Sequence, residues 1–164
     1  EIFMSNGLTR RELEITDIEK IKYILDKSLV AHVGMVDGDE PYVVPMNFGL
    51  SVDEDKISLI FHSALEGMKL DLIRKDNRAS FEMDGKHQLQ YFEEQGYCTM
   101  AYESVIGSGT IRFLSDKEKE QALRALMDQY HPGKNAYFNP AAISRTAVYV
   151  LEVESITGKR KLPK

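Results

Sequence analysis

Ser63, Glu66 and Lys69 follow directly on an alternating apolar stretch, and their types and spacing suit two different tasks. Ile57, Leu59 and Phe61 alternate with Ser58, Ile60 and His62, the period-two pattern of a half-buried strand, so His62 is expected to end a strand. Ser63-Ala64-Leu65-Glu66 then reads as a capping box, in which the serine oxygen takes the N–H three residues on and the glutamate reaches back. The first turn of such a helix has unpaired N–H groups and a partial positive charge. Lys69, about one and a half turns in, is placed to fold back toward an anion held there. That combination makes a phosphate cradle. The simpler reading is that Ser63 only caps a helix and Lys69 only faces water. Glu66 favours it, because an anion in the same turn repels a phosphate unless its side chain points away. Spacing leaves both readings open.

The elements that must position these residues begin earlier in the chain. Thr16-Asp17-Ile18-Glu19 reads as another capping box, opening a predicted helix of about three turns with Ile18, Ile21, Ile24 and Leu25 on one face. Leu29 to Val36 is strand-like, and the Asp37-Gly38-Asp39 turn leads into Pro41 and a second strand, so a hairpin is expected. Pro45 cannot donate to a ladder, which puts the second strand at an edge or bulges it near residues 44–47. His32 shares a strand face with Val30, Gly34 and Val36, where a lone histidine is expected to be a hydrogen-bonded core residue.

After the cradle, Leu65, Met68, Leu72 and Ile73 should form the buried side of a helix ending near Asp76. Arg78 to Met83 alternates as a strand, and the poorly patterned Lys86 to Gly96 reads as a loop. Tyr97 to Leu114 reads as one long strand, bent at Gly107 and Gly109 as in small closing barrels. Ser115-Asp116-Lys117-Glu118 caps a third helix, whose stripe of Ala122, Leu123, Leu126, Met127 and Tyr130 is core packing, stopped by His131-Pro132-Gly133. An irregular stretch leads to Ala147–Val153, the last strand, and a basic tail, Lys159-Arg160-Lys161, expected to be solvated. This order lacks the strict alternation of a doubly wound sheet and fits an antiparallel barrel with flanking helices.

Composition bounds the function. The 164 residues, 43% of them hydrophobic, suit a single domain spanning 1–164. With 21 basic against 26 acidic side chains spread along the chain, no broad positive field exists for nucleic acid or an anionic membrane. Small-molecule or protein partners fit better. The single Cys98 requires no oxidising compartment and sits in a strand pattern as a small buried hydrophobe, and no apolar run is long enough to span a bilayer. A cytoplasmic protein is expected. The first residues lack a basic-then-apolar signal pattern, and Met4 preceded by Glu1-Ile2-Phe3 leaves the natural start open. The four histidines, at 32, 62, 87 and 131, are too dispersed for a local metal motif, and no dinucleotide, P-loop or nucleophile-elbow signature is present. No metal is expected.

Three stretches carry more than composition: GMVDGDEPYVVPMNFG, FHSALEGMKLDLIRKDNRASFEMDG and YESVIGSGTIRF. Together they resemble the FMN-binding split-barrel family, and within it the branch related to pyridoxamine 5′-phosphate oxidase that contains the 5-nitroimidazole-resistance proteins. The resemblance runs from about residue 11 to residue 160. It implies a mainly β fold with flanking helices, an antiparallel, Greek-key-like split barrel that holds FMN in the cleft of a homodimer. It further implies that Pro45, Met46 and Asn47 contact the flavin ring or its polar edge, and that His62, Ser63 and Lys69 contact the ribityl phosphate. Ser104 and Val105 would meet the same phosphate or chain. Two departures matter. The oxidases use a C-terminal Trp and Arg, and this chain has no Trp, so pyridoxamine phosphate oxidation is not expected. Met68 stands where they have a basic residue before the phosphate lysine, so the basic tail is a candidate supplement.

The expected function is therefore an FMN-dependent oxidoreductase, taking electrons from NADH or NADPH and reducing a small acceptor such as a nitroaromatic. His62 is a candidate proton donor or a phosphate-side residue, and no catalytic residue is assigned. The alternatives are a flavin-binding module without turnover, serving storage, sensing or a protein partner, and a haem-binding split barrel with His62 or a tail residue as ligand.

Overall fold

The computed structural model describes residues 10–134 and 137–164, so the lead-in through Thr9 and residues 135–136 of the irregular stretch lie outside the described residues. Long alternating runs pair into one antiparallel sheet of β1 (Glu14–Ile15), β2 (Ala31–Asp37), β3 (Glu40–Met46), β4 (Gly49–Asp53), β5 (Lys56–Ala64), β6 (Arg78–Phe92), β7 (Tyr97–Phe113) and β8 (Thr146–Lys161). The helices are α1 (Ile18–Lys27), α2 (Met68–Lys75), α3 (Asp116–Tyr130) and α4 (Pro140–Ser144). Strand order is β3-β2-β6-β7-β8-β5-β4, with β1 on β8. Although β3 and β4 lie at opposite ends of this order, only Asn47 and Phe48 separate them in sequence. The three Cα steps from Met46 to Gly49 span at most about 11 Å, so the sheet must curl until its edges come close, leaving a split rather than a closed seam.

Inside the curl lie Val33, Phe48, Phe61, Phe81, Met83, Val105 and Tyr149, and α1 closes one end with Ile21, Ile24 and Leu25. A second, smaller core forms outside the barrel, where Ala122 and Leu123 of α3 cover Ile60, Val148 and Val150. This explains the unbroken apolar run Ala147–Leu151: that part of β8 is buried on both faces. The outward face of β3, β2, β6 and β7 is different. Pro45, His32, Glu82 and Ile106 are successive cross-strand partners along it, and Ile106 and Val43 are 54% and 63% exposed.

Several expectations hold. The β2–β3 hairpin turns at Gly38 (φ 59°), and Pro45 sits on an edge strand. An irregularity falls at Gly109 as expected, where the register with β8 slips by one residue, the extra residue being Glu154 of β8. Ser115 and Glu118 form the capping box of α3, whereas the box expected at Thr16–Glu19 is replaced by a cap one residue later, Asp17 accepting the Glu19 N–H. No described helix is long and apolar enough to cross a membrane.

Other expectations are corrected. His32 is exposed, not core, and pairs with Glu82 at 3.2 Å. Leu65 and Met68 are exposed, and Leu70 joins Leu72 and Ile73 on the buried side of α2. A fourth strand, β4, precedes β5 and pairs with it from Gly49 to Asp53. The supposed loop after Lys86 continues β6: following a bulge between Gly85 and Gln88, it pairs with β7 out to Phe92. Cys98 is exposed. The basic tail is the end of β8, paired with β7 through Lys161, because that pairing satisfies its backbone and Glu103 receives Arg160.

Glu118 supplies a pH test. The Ser115 N–H, the Ser115 hydroxyl and Arg112 hold its carboxyl down at about 2, from an ordinary value of 4.5. A depressed carboxyl contributes stability above its unfolded pKa and loses it as pH falls toward the folded value. The melting temperature of Glu118→Gln is therefore expected to lie below the parent's at neutral pH, with the gap shrinking from pH 4.5 toward 2. A gap constant across that range would remove the capping carboxylate as its cause.

Candidate functional site

The cradle is built differently from its sequence pattern. β5 does not stop at His62 but runs on to Ala64, with Ser63 opposite Ala147 and Ala64 opposite Thr146 of β8. The Ser63 hydroxyl donates to the Ala64 carbonyl at 3.0 Å, so it caps nothing. The chain turns at Gly67, whose φ of 142° is open to glycine and strained for other residues, and α2 begins at Met68. The Leu70 and Asp71 N–H groups bond to the Gly67 carbonyl. Those of Met68 and Lys69 have no acceptor among the described residues.

Lys69 is thus in the first turn of α2, half-buried, with no carboxylate partner among the described residues. Glu66 is exposed, and Asp71, the first-turn acid, is bonded to Arg74 at 3.3 Å. The turn therefore offers two free N–H groups, a helix dipole and an unopposed ammonium, which together favour an anion.

Tyr149 ties this turn to the second strand. Its ring packs on Phe61 and Phe113 inside the barrel, and its hydroxyl lies 4.0 Å from Met46 Sδ. Burial pushes that hydroxyl's pKa up, and the adjacent Ser63 hydroxyl partly offsets the shift. Met46 and Ser63 accordingly meet at one buried tyrosine. Met46 is 6% exposed, so its side chain belongs to the core.

Asn47 and Pro45, by contrast, are exposed. Asn47 Nδ2 donates to the Tyr130 hydroxyl at 3.2 Å and the Leu29 carbonyl at 3.4 Å. The same hydroxyl donates to Leu29 at 2.8 Å and accepts the Phe48 N–H at 3.0 Å. Tyr130 therefore pins the crossing from β3 to β4. Sequence reasoning placed Tyr130 only in a packing stripe and gave Tyr149 no role. The available signal was a phenol in an otherwise apolar pattern, since a buried hydroxyl needs a partner.

Ser104 and Val105 are not brought to this place within one copy of the chain. Val105 is fully buried in the core, and Ser104 pairs with Asp84 and Lys159. His62 pairs with Val148, eleven residues before Lys159 on β8, or about 36 Å of strand. The basic end of β8 is equally remote, so it cannot supplement the cradle of its own copy. No group of three or more His, Cys, Asp or Glu among the described residues is placed to hold a metal ion.

Comparison with known proteins matches residues 17–160 to the pyridoxamine 5′-phosphate oxidase family. No curated protein matches the chain. Among solved structures, a candidate 5-nitroimidazole antibiotic resistance protein from Bacteroides thetaiotaomicron is 30% identical with a TM-score of 0.79, covering 90% of this chain and 86% of that one. The flavocytochrome Anf3 from Azotobacter vinelandii is 20% identical with a TM-score of 0.81, covering 99% and 77%. An FAD and heme binding protein from Mycobacterium smegmatis is 20% identical with a TM-score of 0.77, covering 92% and 74%. These last two share the fold. On the family match and the 30% identical relative, the chain belongs to the pyridoxamine 5′-phosphate oxidase family, with its split-barrel fold.

Proposed function

We propose that this protein is a homodimeric FMN-dependent oxidoreductase that reduces a small acceptor, such as a nitroaromatic, with electrons from NADH or NADPH. The observation that carries the reading is the first turn of α2, where Gly67 opens the chain, Met68 and Lys69 present free N–H groups, and Lys69 has no acidic partner. A phosphate fits that donor set. Ser63 and His62 would complete its contacts from the end of β5, while Pro45, the Met46 backbone and Asn47 would border the ring. Since Asn47 Nδ2 is engaged by Tyr130 and Leu29, its amide oxygen is the atom left for a ring N–H. The flavin supplies the electron transfer, and the protein binds, orients and sets the local field.

The same geometry supports a second copy. One chain holds Ser104 far from its own cradle, and the exposed row through Pro45, His32, Glu82 and Ile106 is a sheet face that another copy can cover. In this reading Ser104 of the second copy approaches the phosphate, while Val105, being buried, contributes only backbone.

The test is the near-ultraviolet and visible spectrum of the purified protein, taken before and after adding FMN and then NADPH under nitrogen. Flavin bands that bleach and return with acceptor support the oxidoreductase. Bound flavin that stays oxidised favours the module without turnover, and a Soret band favours haem. Absence of any flavin binding removes the site.

Asn47→Ala is expected to shift the bound flavin's absorbance or potential more than its retention, and to lower stability slightly as Tyr130 loses a donor. A spectrum identical to the parent's would argue against ring contact.

A further inference from the structure

At the opposite end of β8 from the cradle, a groove of about 490 Å³ runs between the bulge of β6, the facing part of β7 and the last residues of the chain. Three cations line it, Lys86, Arg160 and Lys161, against one carboxylate, Glu103. Glu103 is 4% exposed and fully used. One oxygen takes Lys86 Nζ at 3.0 Å, and the other takes Arg160 Nη2 at 2.8 Å and Nε at 3.1 Å.

Two features then remain unanswered. Among the described residues Lys161 Nζ donates only to the neutral hydroxyl of Thr99, so its charge meets no acid there, and Arg160 Nη1 has no partner. The neighbouring His87 is paired with Asp84 at 2.8 Å. Glu12, Glu14 and Asp17 line an adjoining groove that shares Arg160 and Leu162 with this one, and none of them pairs with Arg160 or Lys161.

The bulge itself is unusual. Lys86 has φ 53°, a conformation that side chains other than glycine, asparagine or aspartate seldom take, and it sits where β6 slips register. The turn carries its ammonium onto Glu103 and to 5.0 Å from the centre of the Tyr23 ring. Bulges of this kind recur where a strand re-aims side chains beside a binding site. The groove continues past the cations along Ala101, Tyr102, Leu162 and Pro163, a mainly apolar wall.

The geometry points to a binding site for a small organic anion, its carboxylate or phosphate held by Lys161 and Arg160 and its flat apolar body lying along Tyr102, Leu162 and Pro163. Glu103, itself held by Lys86, keeps Arg160 in position without cancelling the charge of Lys161. None of its lining residues belongs to the cradle of the same copy, and because Ser104, beside Glu103, approaches the phosphate of the second copy in the proposed homodimer, FMN affinity is read alongside anion affinity.

The test is an amide NMR titration of the full chain in saturating FMN, with benzoate, phenyl phosphate, inorganic phosphate and neutral benzyl alcohol as probes, up to about 10 mM. Saturable shifts at Lys86–Gln88, Tyr102–Glu103 and Arg160–Leu162 are expected for benzoate or phenyl phosphate, the tighter of the two identifying the anionic group. Inorganic phosphate should bind more weakly and benzyl alcohol not at all. Lys161→Glu should weaken the aromatic anion about tenfold or more while leaving FMN affinity and melting temperature unchanged, and Lys161→Gln provides a milder variant if the reversal misfolds. The proposal is overturned by shifts that never saturate, by benzyl alcohol binding as well as the anions, or by unchanged affinity in both variants. Loss of FMN in Lys161→Gln also overturns it, because the basic end would then belong to the flavin site.

Discussion

Lys69→Ala is expected to weaken FMN binding by about 1.5–3 kcal/mol, roughly ten- to a hundredfold, by removing a charge-assisted contact to the phosphate. The lysine stands in the first turn of α2 with no acidic partner, so nothing within the chain competes with an anion for it. The two free N–H groups of Met68 and Lys69 remain in the variant, which is why binding should fall rather than vanish. Riboflavin, lacking the phosphate, should bind parent and variant alike, and Lys69→Arg should recover most of the affinity for FMN. Fluorescence-quenching titrations of both ligands check this. Equal FMN affinity in parent and alanine variant would take Lys69 out of the site, and an equal loss for riboflavin would mean that the turn had collapsed.

Gly109→Ala is expected to cost about 3–5 kcal/mol, or to prevent folding, because a Cβ there would stand 1.9 Å from the Glu152 carbonyl oxygen. That atom belongs to the β8 backbone at the register slip, where strands cannot part without giving up ladder hydrogen bonds on both sides. Gly107→Ala should be milder: its nearest obstacle is the Phe81 ring at 2.4 Å, and a side chain yields more readily than a paired backbone. Gly85→Ala is the control, with nothing within 4 Å. For a chain of this size about 1 kcal/mol moves the midpoint by 2–4 °C, so the Gly109 variant should melt some 10 °C or more below the parent. Melting within a few degrees of the parent would mean that β8 can shift there, and that the bend is not locked by close backbone approach.

What the chain announced in its own residues was local. The alternation of Ile57, Leu59 and Phe61, the two-residue turn at Gly38, the capping box of Ser115 and Glu118, and the edge position of Pro45 each depend on neighbours a few residues away. The glycines of the long strand and the family motifs were equally legible, and with them the split barrel.

The misreadings share a cause. Ser63 and Glu66 have the spacing of a capping box, yet Ser63 pairs with Ala147, 84 positions later, and a continued ladder with β8 outweighs one local cap. Lys86 to Phe92 and the tail from Lys159 look like solvated segments because they are polar. They become strands because β7 lies beside both and completes their hydrogen bonds. Tyr149 draws Met46 and Ser63 together from parts of the chain that spacing cannot relate. By itself, then, the sequence determined the strand pattern, the Gly38 turn, the Ser115–Glu118 cap and the residue types of an anion cradle. The tertiary structure decided where strands end, which turn frees its N–H groups, and which cations share a groove, because those outcomes rest on pairing and burial between residues far apart in the chain.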